Sequence, residues 1–165
     1  MDNKTTVTRA CALDTARPLP GRLPHAQPSW VRSDALHFIT LCALPRGANT
    51  LCRRPVAENL WTSARHYAEL GKWSPALLLL MPDHLHALMT FGENQSSVRT
   101  LTAWKRYTAR AFGVTWQESF FEHRLRHDES WRAKSAYIEM NPVRAGLVAS
   151  ADEWPYLWRL GLPEG

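Results

Sequence analysis

His84 and His86 are two imidazoles one residue apart, within the stretch ALLLLMPDHLHALMTF from Ala76 to Phe91. In an extended chain, successive side chains point to opposite faces. His84, His86, Leu88 and Thr90 then point one way, and Leu85, Ala87, Met89 and Phe91 the other. The apolar set suits a core, which leaves the two imidazoles side by side on the opposite face, an arrangement that can hold a metal ion. The ordinary alternative is a histidine pair with no ligand role. A second stretch, WRAKSAYIEMNPVRAGLV from Trp131 to Val148, sets Tyr137 and Asn141 four residues apart, on one face of a helix. Pro142 ends or bends that helix just after Asn141, and Gly146 closes the following turn.

The elements around these residues follow from apolar period and punctuation. Ala35 to Leu44 is rich in strand formers and ends at Pro45, giving a first strand. Pro45 to Pro55, with Gly47, Asn49, Arg46, Arg53 and Arg54, is a basic loop. Pro55 suits the first position of a helix whose stripe is Val56, Leu60, Ala64 and Tyr67, closed by Gly71. The second strand starts at Trp73 or Ala76 and ends at Met81; its unbroken apolar run predicts burial on both faces. Pro82-Asp83 then turns the chain into the histidine strand as a hairpin.

Gly92 to Ser96 is a polar loop, and Ser96 or Ser97 caps a helix with Val98, Leu101, Lys105, Thr108 and Phe112 along one stripe. Arg99, Lys105, Arg106 and Arg110 give that helix a basic side with Trp104 and Tyr107 among them, the pattern of a nucleic-acid surface as well as of a solvated face. Trp116 to Leu125 predicts a fourth strand, whose His123 either faces the cleft of the histidine pair or packs. Ser130 or Asp128 caps the Tyr137 helix, and the tail carrying Trp154, Tyr156 and Trp158 packs back on the domain.

Composition bounds what such a chain does. Its 165 residues and 45% apolar content fit one globular domain. Residues 1–28, with Pro18, Pro20, Pro24, Pro28, Arg9, Arg17 and Arg22, predict a mobile Pro/Arg-rich arm, and 29–165 a single domain. No apolar run approaches the about 20 residues of a membrane span, and the N-terminus lacks the apolar core of a secretory signal, so a cytoplasmic protein is expected. Cys11, Cys42 and Cys52 have no C-x-x-C spacing and read as reduced structural thiols. A net charge of +5 carried by sixteen arginines against four lysines favours bidentate phosphate contacts and stacking on bases.

MPDHLHALM followed some way on by YIEMNPVRAGLV resembles the HUH single-tyrosine transposases, and within them the REP-associated tyrosine transposase branch. HUH denotes histidine, bulky apolar residue, histidine, which His84-Leu85-His86 fits. The resemblance spans Trp30 to Trp158 and includes TAWKRYTARAFG, FFEHRLR and EWPYLW. It implies an α+β fold, ferredoxin-like, with an antiparallel sheet of four to five strands and helices packed on it. It also implies cutting and rejoining of single-stranded or hairpin DNA, with Tyr137 as nucleophile. His84 and His86 would hold a divalent metal, Mg²⁺ or Mn²⁺, with Asn141 completing its site. Such chains act as monomers or as dimers, and no residue here decides between them.

This chemistry is coherent on general grounds. Phosphodiester cleavage needs an in-line nucleophile and neutralisation of phosphate charge. A phenol of pKa about 10 needs positive charge nearby to act as one. Imidazoles suit Mn²⁺, Zn²⁺ or Co²⁺ better than Mg²⁺, which prefers oxygen. Tyr67, Tyr107 and Tyr156 are the rival phenols, but none has a polar partner one turn on within a stretch that resembles the family's motif. Two other readings compete: a DNA-binding protein of the same fold that does not cut, and a zinc hydrolase built on His84, His86 and His123.

Overall fold

The unbroken apolar run from Ala76 to Met81 demands a covering layer on each side of the sheet. The computed structural model describes residues 35–92, 94–126 and 130–159. The expected arm at 1–28, Trp30, Cys11 and the alternative cap Asp128 lie outside these residues. Within them run β1 (His37–Cys42), α1 (Arg54–Glu69), β2 (Trp73–Met81), β3 (His84–Phe91), α2 (Ser97–Phe112), β4 (Phe121–Arg124), α3 (Trp131–Glu139), α4 (Asn141–Arg144) and β5 (Leu157–Arg159).

The five strands form one sheet in the order β4-β1-β3-β2-β5, every pairing antiparallel. Each of the first two helices returns the chain to a strand that lies two places away, so the order β4-β1-β3-β2 is that of interleaved split βαβ units, the ferredoxin-like arrangement. The expected α+β fold with an antiparallel sheet is therefore the observed one.

One face of the sheet carries Ile39, Leu41, Leu78, Leu80, Leu85, Ala87 and Met89, and packs under α1 and α2 through Leu60, Ala64, Leu101 and Trp104. The other face carries Phe38, Leu77, Leu79 and Leu88, and packs under α3 through Ile138. The apolar run of β2 is buried at every position but Ser74, as two covered faces require. Pro55 opens α1, and the chain leaves it through Gly71 at φ +65°. A Cβ at Gly92 would collide with the Gly71 carbonyl oxygen, so the end of β3 fits against the end of α1 only as glycine.

Several expectations shift by a residue or a turn. Ser96, not Ser97, caps α2, accepting from the Arg99 backbone N–H. The buried stripe of α2 is Ser97, Thr100, Leu101, Trp104 and Thr108, rotated from the expected Val98-Leu101-Lys105-Thr108-Phe112. The cause is Trp104, which is 1% exposed, donates its indole N–H to Ser63 Oγ at 3.0 Å and packs edge-on against Trp73.

The fourth strand is shorter than expected, Phe121–Arg124 instead of Trp116–Leu125. Residues 113–120 fold back over α2. Lys105 donates to the Gln117 and Glu118 carbonyls at 2.7 and 2.8 Å, and the Trp116 indole donates to Thr108 Oγ1 at 2.8 Å. The aromatic tail does pack back, and does so as a strand. Leu80 N–H donates to the Tyr156 carbonyl at 2.9 Å, and the Trp154 indole to the Leu80 carbonyl at 2.8 Å.

Ile138 is fully buried and carries α3 onto the histidine-bearing face. Ile138→Ala is expected to cost about 2–5 kcal/mol in urea unfolding. A loss below about 1 kcal/mol, outside that range, would mean that α3 is held by its polar contacts instead.

Candidate active site

β3 presents both imidazoles on the face under α3, and both are buried, His84 at 4% and His86 at 9% exposure. The ring centroids are 4.8 Å apart at an interplanar angle of 76°. Each ring is held at its Nδ1. His84 Nδ1 lies 2.7 Å from Asp83 Oδ1, and His86 Nδ1 lies 2.8 Å from Thr40 Oγ1. Among the described residues neither Nε2 has a hydrogen-bond partner. A partner at one ring nitrogen and an unengaged second nitrogen is how metal-ligating histidines are oriented. Burial, with the charges of His84 and Arg144, pushes His86 down to about 3, so it is neutral near pH 7, as a ligand must be.

Asp83 is itself clamped. Burial pushes its carboxyl up, but hydrogen bonds from His84 and the Gly47 backbone, with the charges of His84 and Arg46, hold it below the usual carboxylate range. The sequence reading used Asp83 only as a turn residue and Thr40 only within a strand, neither as part of the site. The only signal for them was position: Asp83 is next to the pair, and Thr40 sits opposite His86 once β1 is registered on β3.

The pairing Phe38↔His123 puts His123 on the same sheet face as Phe38, and therefore on the face of the histidine pair. This decides its direction, which the sequence left open. Yet among the described residues no three His, Cys, Asp or Glu side chains come together as metal ligands, so His123 does not complete a trio with His84 and His86. A zinc site of three histidines is not what this geometry offers. The buried Cys52 thiol, pushed up to about 12 chiefly by burial, is a structural group.

α3 begins at Ser130, whose hydroxyl accepts from the Ala133 N–H at 3.3 Å, and stops at Glu139. Pro142 cannot donate to the Ile138 carbonyl as a helical residue would. Asn141 supplies the missing donor: its Nδ2 reaches the Ile138 and Tyr137 carbonyls at 3.0 and 3.3 Å. The chain then resumes as α4, so the expected break is present but falls just before Asn141, which opens the second helix and does not share a face of α3 with Tyr137. With its nitrogen so used, Asn141 keeps Oδ1 as the atom able to meet a cation.

Tyr137 is 42% exposed and lies between two cations. The Arg144 guanidinium stacks 4.1 Å from its ring centroid and donates to its carbonyl at 2.6 Å. Lys134 Nζ is 5.8 Å from the same ring and 5.1 Å from that of Phe38, which in turn stacks on His86 at 5.5 Å. Arg144 and Lys134 were also missed by the sequence reading; helical spacing of Lys134, Tyr137 and Asn141 was the available signal. The rival phenols sit elsewhere: Tyr67 packs on Trp73, Tyr156 on Trp154 and Trp61, and Tyr107 is exposed on α2.

Arg99, Arg106 and Arg110 are exposed on α2 beside Tyr107. α2 covers the opposite sheet face, so these arginines are not brought together with His84, His86 and Tyr137. Lys105 is engaged by the two carbonyls of the 113–120 segment and lies 5.4 Å from the Phe120 ring centroid. Among the described residues no helix is long and apolar enough to cross a membrane.

The end of α3 is tied to β5. Glu139 Oε2 accepts from Arg159 Nη2 at 2.8 Å, and its Oε1 from Ser135 at 3.0 Å. Hydrogen bonding from Arg159, against the opposing effect of partial burial and helped by Ser135, holds the Glu139 carboxyl below its usual range. A lowered folded value means that the stabilisation is full above the unfolded value of about 4.3 and is lost as pH falls through the folded one. Wild type should therefore lose urea stability below about pH 4 more steeply than Glu139→Gln. Parallel curves would show that the ion pair contributes nothing.

Comparison with known proteins is consistent with this geometry. No protein-family model matches the chain. It is 32% identical over 92 residues to the REP-associated tyrosine transposase of Escherichia coli K12, covering 53% of this chain and 52% of that protein. It is 30% identical over 97 residues to a Haemophilus influenzae protein provisionally given the same name, covering 48% and 54%. The chain thus spans about half the length of the curated relatives it matches. Among solved structures, that of a REP-associated tyrosine transposase bound to a REP hairpin superposes with a TM-score of 0.67 at 21% identity, covering 82% of each chain, and shares the fold.

Proposed function

We propose that this chain, a relative of the REP-associated tyrosine transposases, cuts and rejoins single-stranded DNA that forms hairpins, with Tyr137 as the attacking group. The observation that carries the reading is the face they share. The helix bearing Tyr137 packs on the side of the sheet where two buried imidazoles each have Nδ1 engaged and, among the described residues, Nε2 without a partner.

Oη of the solvent-exposed Tyr137 attacks the scissile phosphorus and gives its proton to water. The bond from phosphorus to the 3′ oxygen breaks, and that oxygen takes up a proton. The products are a 5′-phosphotyrosine and a free 3′-hydroxyl. Attack by a 3′-hydroxyl reverses the step, so joining needs no nucleotide cofactor. Arg144 orients the phenol by stacking on its ring and by holding its carbonyl, and with Lys134 it places positive charge where a phosphate must approach. His84 Nε2, His86 Nε2 and Asn141 Oδ1 are the atoms we assign to a divalent ion, Mg²⁺ or Mn²⁺. Bound there, it would supply charge neutralisation and orient the phosphoryl oxygens.

A labelled single strand carrying a hairpin, incubated with the protein and Mn²⁺, should yield a DNA–protein adduct that survives denaturing electrophoresis. Tyr137→Phe should abolish it, and chelation of the metal should stop cleavage. Cleavage persisting in Tyr137→Phe would favour a water-attacking nuclease. Binding without cutting, across metals and substrates, would favour the non-cutting DNA-binding protein.

Arg99, Arg106 and Arg110, on the far face, are assigned to DNA backbone away from the cleaved bond. Arg106→Ala and Arg110→Ala should each weaken binding and reduce the slope of log affinity against log salt by about 1, leaving cleavage at saturating DNA unchanged. Unchanged salt slopes would take the DNA off α2.

A further inference from the structure

Resting on the reading of His84 and His86 as metal ligands, we propose that Asp83 is a positioning residue. It fixes the proton of His84 on Nδ1 and so presents the Nε2 lone pair, whereas Thr40 leaves His86 free to take either tautomer. The two histidines look equivalent in sequence, but their partners differ in kind. An ionised carboxylate only accepts, so a contact of 2.7 Å from Asp83 Oδ1 requires the hydrogen to sit on His84 Nδ1. A hydroxyl both donates and accepts, so Thr40 Oγ1 at 2.8 Å satisfies His86 Nδ1 with or without its hydrogen.

Asp83 keeps this orientation because the segment after β1 grips the whole hairpin turn. Asp83 Oδ2 accepts from the Gly47 N–H at 2.7 Å and lies 3.3 Å from Arg46 Nη2. Its backbone carbonyl accepts from Ala43 N–H at 2.8 Å and from Arg46 Nη1 at 3.0 Å, and the Pro82 carbonyl accepts from the Thr50 and Leu51 N–H groups at 2.8 and 2.9 Å. Gly47 makes its contact at φ +79°, a conformation open to glycine at little cost. Both carboxylate oxygens are thus occupied by protein, which fits Asp83 as a brace and not as a third ligand. His84 becomes the preset ligand, and His86 the one that adjusts.

The test uses the full chain without metal, labelled with ¹⁵N-histidine, at neutral pH. Two-bond ¹⁵N–¹H correlations should show His84 protonated on Nδ1 in wild type. In Asp83→Ala, and in Asp83→Asn, which preserves the shape of the turn, the proton should move wholly or partly to Nε2. Thr40→Val should leave the His84 pattern unchanged. Mn²⁺ affinity, read from water-proton relaxation, should fall roughly 10–100-fold in the Asp83 variants, provided their amide spectra remain folded. A wild-type His84 carrying its proton on Nε2 overturns the proposal. So do folded Asp83 variants with unaltered tautomer and Mn²⁺ affinity. If wild type has the expected tautomer, loses it in the variants and binds no Mn²⁺, the brace stands and the metal reading of the site falls.

Discussion

The period of two along β3 is the constraint from which the rest follows. A central strand with neighbours on both sides can satisfy its backbone in the sheet, but its side chains still need two separate environments. Leu85, Ala87 and Met89 are met by the α1–α2 layer. The opposite row, His84, His86 and Leu88, is met by α3 at its apolar end and by Asp83 and Thr40 at its polar end. A slip of one residue would put both imidazoles into the aromatic core beneath Trp104, where their ring nitrogens would meet few polar partners.

Burial is reconciled with open polar atoms at this site by division of labour within each side chain. The imidazoles are as buried as core residues, yet one nitrogen of each is engaged by protein while the other has no partner among the described residues. Asn141 is divided likewise: its nitrogen repairs the break made by Pro142, and its oxygen remains. Arg144 also serves twice, closing the end of α3 at the Tyr137 carbonyl and stacking on the ring of the same residue. The helix break falls here because Pro142 removes a backbone donor, and Asn141 and Arg144 supply side-chain donors in its place.

The two sides of the sheet carry different electrostatics. On the α3 side, Lys134 and Arg144 converge on one phenol, in a setting where charge acts at short range. On the α2 side, Arg99, Arg106 and Arg110 are exposed, and salt screens what they do. One chain therefore presents a phenol flanked by two cations on one side of the sheet and a broad basic row on the other.

By itself the sequence determined the hairpin of β2 and β3, the buried run of β2, the histidine pair on one face, and the helix break beside Pro142. These rest on local stereochemistry, on period and on turn residues, which neighbours in the chain suffice to set. Tertiary structure decided the rest. It rotated α2 so that Trp104 enters the core, and it shortened β4 because Lys105 and Thr108 hold the preceding segment elsewhere. It also turned the aromatic tail into an edge strand on β2. It brought Thr40 to His86 across 46 residues and Arg46 to Asp83 across 37. Such pairings depend on strand register and on which volume fills which gap, quantities that belong to two segments at once and are written in neither.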